Sequence, residues 1–176
     1  TSGRRASATV TTEGSIPVGV DVTETRISSV ARVTVRGEAR EDIGYTLNVD
    51  GYGPDEWTAR QNASRTTLTA DAVGNVLALR ANAPREGRQV VSLVVTVPTG
   101  MKVRIEATQG GTRLDASGLA NLQLDAAGEV RLTGITGSIT GSHRNGTLSI
   151  ADSASVGLTL QNSETAVDRA RLGEDR

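Results

Sequence analysis

The sequence carries three related runs, Gly110-Gly-Thr-Arg-Leu114, Gly128-Glu-Val-Arg-Leu132 and Gly146-Thr-Leu-Ser-Ile150, whose opening glycines are spaced by 18 residues. The aliphatic residues that end the runs keep the same spacing. Polar and apolar residues alternate within each run, which is the pattern of a half-buried β-strand. A unit repeated at a fixed period is typical of stacked coils. The sequence therefore predicts an all-β fold: a single β-solenoid, of the β-helix or β-roll type, with coils of about 18 residues in its C-terminal half.

Outward from this repeat, the chain divides into four parts. Residues 101–165 hold the regular coils, and the less even alternation in residues 27–100 predicts an irregular β half of the same solenoid. Residues 1–26 are polar and rich in Thr and Ser, which predicts an N-terminal strand or a tether. Residues 166–176 form a capping tail, and the pattern predicts a short helix that begins at Ser163.

The composition narrows the class of protein. The chain has 176 residues with 20 Gly, no Cys, no Phe and three aromatic residues, so a disulfide-stapled module is excluded. Its net charge of −1 and its lack of basic runs argue against nucleic acid as a partner. The longest nearly apolar run, Val90-Val-Ser-Leu-Val-Val95, is too short for a membrane span, which needs about 20 residues. The chain begins with Thr1 rather than Met, which fits the removal of a signal peptide or anchor.

The order of these features resembles one bacterial family. A strand-rich first half leads through Val94-Val-Thr-Val-Pro-Thr-Gly-Met-Lys-Val-Arg-Ile105 into repeated Gly-x-(Val/Leu)-x-(Leu/Ile) runs. This arrangement resembles the "putative adhesin" family of envelope β-solenoids, and also toast-rack domains, over roughly residues 27–165. The chain departs from that pattern at Gly111 and Thr147, where the family often has an acid, and at Glu164, where the fourth glycine is missing. The resemblance implies an extracellular, cell-surface or periplasmic location and a binding or scaffolding role without catalytic residues.

All three aromatic residues fall within a 13-residue segment that also contains three acids. Its glycines and proline, in Asp50-Gly-Tyr-Gly-Pro-Asp-Glu56, predict a protruding loop. Two interpretations are open: a sugar-stacking or protein-docking patch, or aromatic side chains that pin a long excursion onto an aliphatic core. The candidate binding residues are Tyr45, Tyr52, Trp57, Asp50, Asp55 and Glu56.

The sequence offers little chemistry for a metal or for catalysis. Oxygen side chains at alternating positions between residues 48 and 56 suit calcium, although the segment lacks the glycine and the distal Glu of an EF-hand. His143 has neither a second His nor a Cys to share a transition metal, and we expect it at an exposed corner between coils. Asp115, Asp125 and Glu129 read as solvated acids at strand ends rather than a catalytic pair. We therefore predict no enzyme, no cofactor and no metal site.

Three functions remain open from the sequence. The first is a non-catalytic envelope or surface module that binds a protein or a cell-surface partner. The second is a self-assembling filament or sheet subunit that pairs with its own copies by β-augmentation, through the N-terminal strand or the coil ends. The third is a calcium- or carbohydrate-binding domain centred on the loop at residues 45–57.

Overall fold

The computed structural model describes residues 6–19, 21–28, 32–82, 89–107, 113–153, 155–168 and 171–172. In these ranges the chain forms β-strands and one short helix, so the all-β class is confirmed. In chain order the elements are β1 Ala6–Pro17, β2 Glu24–Ser28, β3 Arg32–Glu38, β4 Asp42–Gly53, α1 Glu56–Ser64, β5 Thr67–Val73, β6 Val76–Asn82, β7 Gln89–Pro98, β8 Lys102–Ala107, β9 Arg113–Ser117, β10 Asn121–Ala127, β11 Glu129–Thr133, β12 Ser138–Ala151, β13 Ser155–Asp168 and β14 Arg171–Leu172.

The strands belong to one curled sheet made of two ladders that share the long strands β12 and β13. Ladder A runs β5-β6-β2-β8-β10 and then through the first halves of β12 and β13 to β14. Ladder B runs β1-β4-β7-β3-β9-β11 and then through the second halves of β12 and β13. Neighbouring strands are parallel, except for the antiparallel pairs β1–β4, β4–β7 and β5–β6.

The stacking order differs from the chain order. β2 lies between β6 and β8, and β3 lies between β7 and β9. The connection from β7 to β8 therefore crosses the ends of β3 and β2. The Thr99 N–H donates to the Glu38 carbonyl over 3.0 Å, and the Lys102 N–H donates to the Thr23 carbonyl over 3.2 Å. The sheet is thus continuous between the parts that the sequence separates at residue 100.

Aliphatic side chains from both ladders fill one core. Residues that are paired across neighbouring strands lie in columns on the inner face, because side chains alternate between the two faces of a strand. These columns belong to one hydrophobic cluster. In ladder A the columns contain Leu79, Ile27, Ile105 and Leu124; in ladder B they contain Leu93, Val33, Leu114, Val130 and Leu148, next to Val95, Val35, Ala116, Leu132 and Ile150. Thr25 lies in the same interior, where its hydroxyl donates to Met101 Sδ over 2.6 Å.

Among the described strand pairs, the 18-residue spacing of the glycine repeat is kept only between β11 and β12. Val130 pairs with Leu148, which is an 18-residue interval, so Gly128 and Gly146 lie side by side. Leu114 pairs with Val130, an interval of 16, and the pairing of β12 with β13 uses 17. Gly110 lies outside the described residues. The described strands therefore form a curled sheet, and the regular 18-residue coils of the predicted β-solenoid are not seen in it.

The predicted C-terminal helix is wrong for residues 163–168. The chain continues there as β13, and its pairing with β12 extends to the pair of Ala151 with Asp168. The backbone groups of this segment obtain hydrogen-bond partners from the neighbouring strand, which outweighs a weak local preference for helix. Residues 169–170 and 173–176 of the predicted tail lie outside the described residues.

Gly146 provides a test of the close approach between coils. A Cβ at this position would overlap the Gly128 carbonyl, so we expect G146A to lower the free energy of unfolding by about 1–3 kcal/mol. Gly100 has open space around it, so G100A is the matched control and is expected to change stability by less than about 0.5 kcal/mol. Urea denaturation measures both. Equal stability of the two variants would mean that the coils do not approach each other at Gly146.

Candidate functional site

The segment that carries the aromatic residues is not a protruding loop. β4 continues to Gly53, Pro54 and Asp55 turn the chain, and α1 begins at Glu56. Asp55 is the N-cap of α1, and its carboxylate accepts a hydrogen bond from the Thr58 N–H over 2.7 Å. This bond holds the pKa of Asp55 below its ordinary value because it favours the charged carboxylate.

Two glycines of β4 let α1 lie directly against the strand. A Cβ at Gly51 would overlap the Ala59 carbonyl. The buried side of the helix consists of Ala59, Asn62 and Ala63. Asn62 Nδ2 donates to the Tyr52 carbonyl over 2.6 Å, and Gln89 Nε2 donates to the Asn62 carbonyl over 2.9 Å. The glycines of β4, which predicted a loop, therefore provide the space in which α1 packs against the strand.

The three aromatic side chains do not form one patch on β4. Tyr45 is partly buried against the hydrophobic core and lies over Gly14, where a Cβ would come within 2.6 Å of its Cζ. Tyr52 lies seven residues further along the same strand, so it points to the opposite face. Trp57 is on α1 and is 71% exposed. Of the three, Trp57 is the aromatic residue that is free to meet a partner.

The acids of the segment are held separately. Asp50 accepts a hydrogen bond from Thr9 Oγ1 over 2.6 Å, Asp55 caps the helix, and Glu56 is exposed in the first helical turn. Among the described residues, no group of three or more His, Cys, Asp and Glu side chains is placed to hold a metal ion. The candidate calcium ligands are thus not gathered into one site.

Trp57 shares the exposed side of α1 with three polar residues. Arg60, Gln61 and Ser64 follow it at helical spacings of three, four and seven, and all three are exposed. We call these four residues the α1 surface. It joins a large aromatic ring to a guanidinium and an amide, which suits either a protein contact or a sugar ring.

His143 is buried rather than exposed at a corner. Its relative exposure is 0%, Nδ1 lies 2.6 Å from Ser163 Oγ, and Nε2 lies 2.7 Å from the Gly128 carbonyl oxygen. A carbonyl only accepts, so Nε2 carries a hydrogen and donates it. Both ring nitrogens are therefore used in joining neighbouring coils. Sequence spacing alone could not reveal this contact, because it depends on the register of β12 against β13.

Asp115, Asp125 and Glu129, for which the sequence indicated no catalytic role, lie on the outer faces of the sheet. Asp125 accepts a hydrogen bond from Ser142 Oγ over 3.1 Å on ladder A. Asp115 and Glu129, on ladder B, lie 3.8 and 4.0 Å from Arg113 Nε. No helix in the described ranges is long and apolar enough to cross a membrane.

The comparisons with known proteins identify the fold. No family model and no curated protein matches the sequence. Among solved structures, a "putative cell adhesion protein" from Clostridium sporogenes matches with a TM-score of 0.52 and 8% identity, over 97% of this chain and 100% of that chain. A "putative lipid binding protein" from Parabacteroides distasonis has a TM-score of 0.35 and 10% identity, over 93% and 94% of the two chains. A "putative adhesin" from Bacteroides fragilis has a TM-score of 0.30 and 11% identity, over 94% and 97%. The family resemblance found in the sequence is thus confirmed at the level of the fold, by the Clostridium structure.

The cap of α1 can be tested through Trp57, the single tryptophan of the chain. We expect D55A to fray the helix at pH 7, whereas D55N keeps an N-cap acceptor and holds the helix. In the unsubstituted protein the folded-state pKa of Asp55 is lowered, so its stabilising effect is present above the ordinary value of 3.8 and is lost as the pH falls through the lowered value.

Tryptophan fluorescence and urea denaturation, recorded between pH 7 and pH 2, measure both effects. Equal stability of D55A and D55N at pH 7 would contradict the capping role of Asp55.

Proposed function

We propose that this chain is a non-catalytic binding module of the bacterial cell envelope or surface, built as an irregular β-solenoid. The observation that carries the proposal is the exposure of Trp57, which is 71% exposed on a helix whose other side is fixed to the sheet. Tryptophan is enriched among the residues that dominate binding energy at interfaces.

The α1 surface is suited to binding because its helix is held in place by contacts with β4. The seat at Gly51 and the hydrogen bond from Asn62 to Tyr52 hold the helix in place before a partner arrives. A side chain on a fixed element loses little further conformational entropy when it binds, so more of the contact energy appears as affinity. The sheet therefore holds α1, and Trp57 on it, in a fixed position for binding.

The partner class follows from the chemistry of the α1 surface. Trp57 offers an aromatic face, and Arg60 and Gln61 offer hydrogen-bond donors beside it. We infer a protein or a saccharide on a cell surface as the partner, with the indole packed against an apolar side chain or a sugar ring. The Clostridium sporogenes structure is that of a "putative cell adhesion protein", which supports this class of function. The calcium alternative receives no support from the described acids.

Substitution of Trp57 tests the proposal. The probes are a glycan array and surfaces coated with fibronectin or collagen, which represent saccharide and protein partners. We expect the unsubstituted chain to bind at least one probe, and W57A to bind it about thirtyfold more weakly, since removal of a dominant interface residue costs about 2 kcal/mol.

V73A is the matched control, because Val73 is a 75% exposed apolar residue at the far end of β5. It is expected to keep the affinity. Undiminished binding by W57A would refute the role of the α1 surface.

A second candidate function is self-assembly, and the position of β1 favours it. β1 is a 12-residue strand that pairs with β4 on one side and ends ladder B on the other. Val10 and Ile16 on this strand are only partly buried against the core. β1 contains one charged residue, Glu13, whereas natural edge strands usually carry lysines that prevent pairing with other chains. The edge of β1 therefore fits β-augmentation by a second copy of this chain.

Two lysines on the exposed positions of β1 test this candidate. We expect a chain that associates through β1 to become monomeric in the T11K/S15K variant, because charged side chains on an edge strand oppose strand pairing. Light scattering across a hundredfold range of concentration measures the change. S149K, on an exposed position of the interior strand β12, is the control and is expected to leave the assembly intact. A monomer at every concentration before any substitution would rule the candidate out.

A further inference from the structure

Two shallow depressions lie on the outer face of ladder B, away from α1. The first has a volume of about 240 Å³, and the residues from β3, β7 and β9 that line it include Arg32, Thr34, Ser92, Val94 and Arg113, together with one acid, Asp115. The second has a volume of about 280 Å³ and is lined by residues of β1, β4 and β7, which include Val94 and the acid Glu13, and by Arg40 from the turn between β3 and β4. Since they share Val94, the two depressions adjoin and form one path across the strands.

Two arginines stand side by side at the first depression. Arg32 of β3 pairs in register with Arg113 of β9, so their side chains leave the outer face from neighbouring strands. Such strands are about 4.8 Å apart, and like charges in this position repel each other. Both residues are exposed, and no carboxylate among the described residues lies within ion-pair distance of Arg32.

The ion pairs of Arg113 are loose. Its Nε lies 3.8 Å from Asp115 and 4.0 Å from Glu129, which leaves its terminal nitrogens available as donors. The exposed Arg36, two positions beyond Thr34 on the same face of β3, also has no carboxylate partner among the described residues. Arg32 and Arg36 are thus left without a carboxylate partner among the described residues, while Arg113 shares the first depression with Asp115.

Ladder A is built differently. Its central cations pair with acids. Lys102 Nζ lies 3.5 Å from Glu24 and Arg26 Nε lies 3.7 Å from Glu106, both across adjoining strands, whereas Arg104 Nε lies 3.4 Å from Glu106 of its own strand. Exposed arginines without an ion pair among the described residues occur on both ladders, for example Arg80 on ladder A, and Arg32, Arg36 and Arg131 on ladder B. On ladder B, Arg32 stands next to a second arginine, Arg113.

The shape of the path indicates an extended ligand. From β9 through β3, β7 and β4 to β1 there are four strand spacings, or about 19 Å. Hydroxyls of Thr34 and Ser92 border the arginines, and Val94 provides an apolar contact midway. At the far end, Arg40 is already bound to Asp42 over 2.8 Å, so the free cations lie at one end only. Hydroxyl donors, an apolar contact and a guanidinium pair suit a short stretch of saccharide with an acidic group.

We propose that the outer face of ladder B binds an acidic polysaccharide, with Arg32 and Arg113 together holding one carboxylate or sulfate group. Two guanidinium groups around one anion form charge-assisted hydrogen bonds and remove the repulsion between them. Hydroxyls of the adjoining sugar rings would then meet Thr34 and Ser92. The site is independent of the α1 surface and does not require that proposal to hold.

Binding to defined oligosaccharides tests this site. The probes are oligogalacturonate, which carries carboxylates, dextran sulfate, which carries sulfates, and neutral dextran. Biolayer interferometry is expected to detect the charged probes but not dextran. Because both arginines are exposed, R32A/R113A should keep its melting temperature and bind at least tenfold more weakly. R32K/R113K keeps the charge but loses the planar fork, and is expected to weaken binding as well.

The control K102A/R104A removes two cations from ladder A and is expected to bind as tightly as the unsubstituted chain. W57A should also bind the acidic probes normally, which separates this site from the α1 surface. The proposal is overturned if no acidic probe binds, if dextran binds equally well, or if R32A/R113A keeps its affinity. It is also overturned if the control weakens binding to the same extent, or if single-stranded DNA competes as well as the saccharides, because either result indicates general attraction of polyanions.

Discussion

The register of the parallel ladders is the constraint on which the rest of this structure depends. Side chains alternate between two faces, so a slip of one residue between neighbouring strands would turn an inner column outward. The pairs Leu122–Ile139 and Val130–Leu148 keep aliphatic residues together inside. The number of residues between paired positions varies from 16 to 19 among strands β8 to β13, while the inner columns are kept. Gly146, within β12, then permits the close approach of this strand to Gly128.

The parts of the fold that sequence could predict are those with a local cause. Alternation around Val130 and Leu132 indicated a strand with one buried face, and the structure has it. The place of β2 and β3 between later strands could not be predicted, since it depends on pairing between residues more than fifty positions apart. The C-terminal prediction failed for a related reason. A short helical pattern after Ser163 competed with the free side of β12, and the ladder provided hydrogen bonds to residues 163–168.

The composition of the sequence indicated the aromatic segment, but it did not show how the segment folds. Glycine occurs both in loops and where backbones pack closely. Only the position of α1 shows that Gly51 is needed for close packing. Counting along β4 would have placed Tyr45 and Tyr52 on opposite faces, had the strand been extended to Gly53. His143 was misplaced because its partners, Gly128 and Ser163, become neighbours only through stacking. The contacts that sequence missed, those of His143 and of α1 against β4, are therefore contacts between different elements of the fold.

The two candidate binding surfaces follow from this division between inner and outer faces. Inner positions are fixed by packing, whereas outer positions are free to vary without changing register. Ladder A uses that freedom to pair its central cations, and ladder B leaves Arg32 without a carboxylate among the described residues. Trp57 likewise stands on a helix added to the sheet rather than on the repeat itself. Recognition can therefore change by substitution on the outer face or on α1 while the core columns stay the same, which is how one scaffold serves several partners.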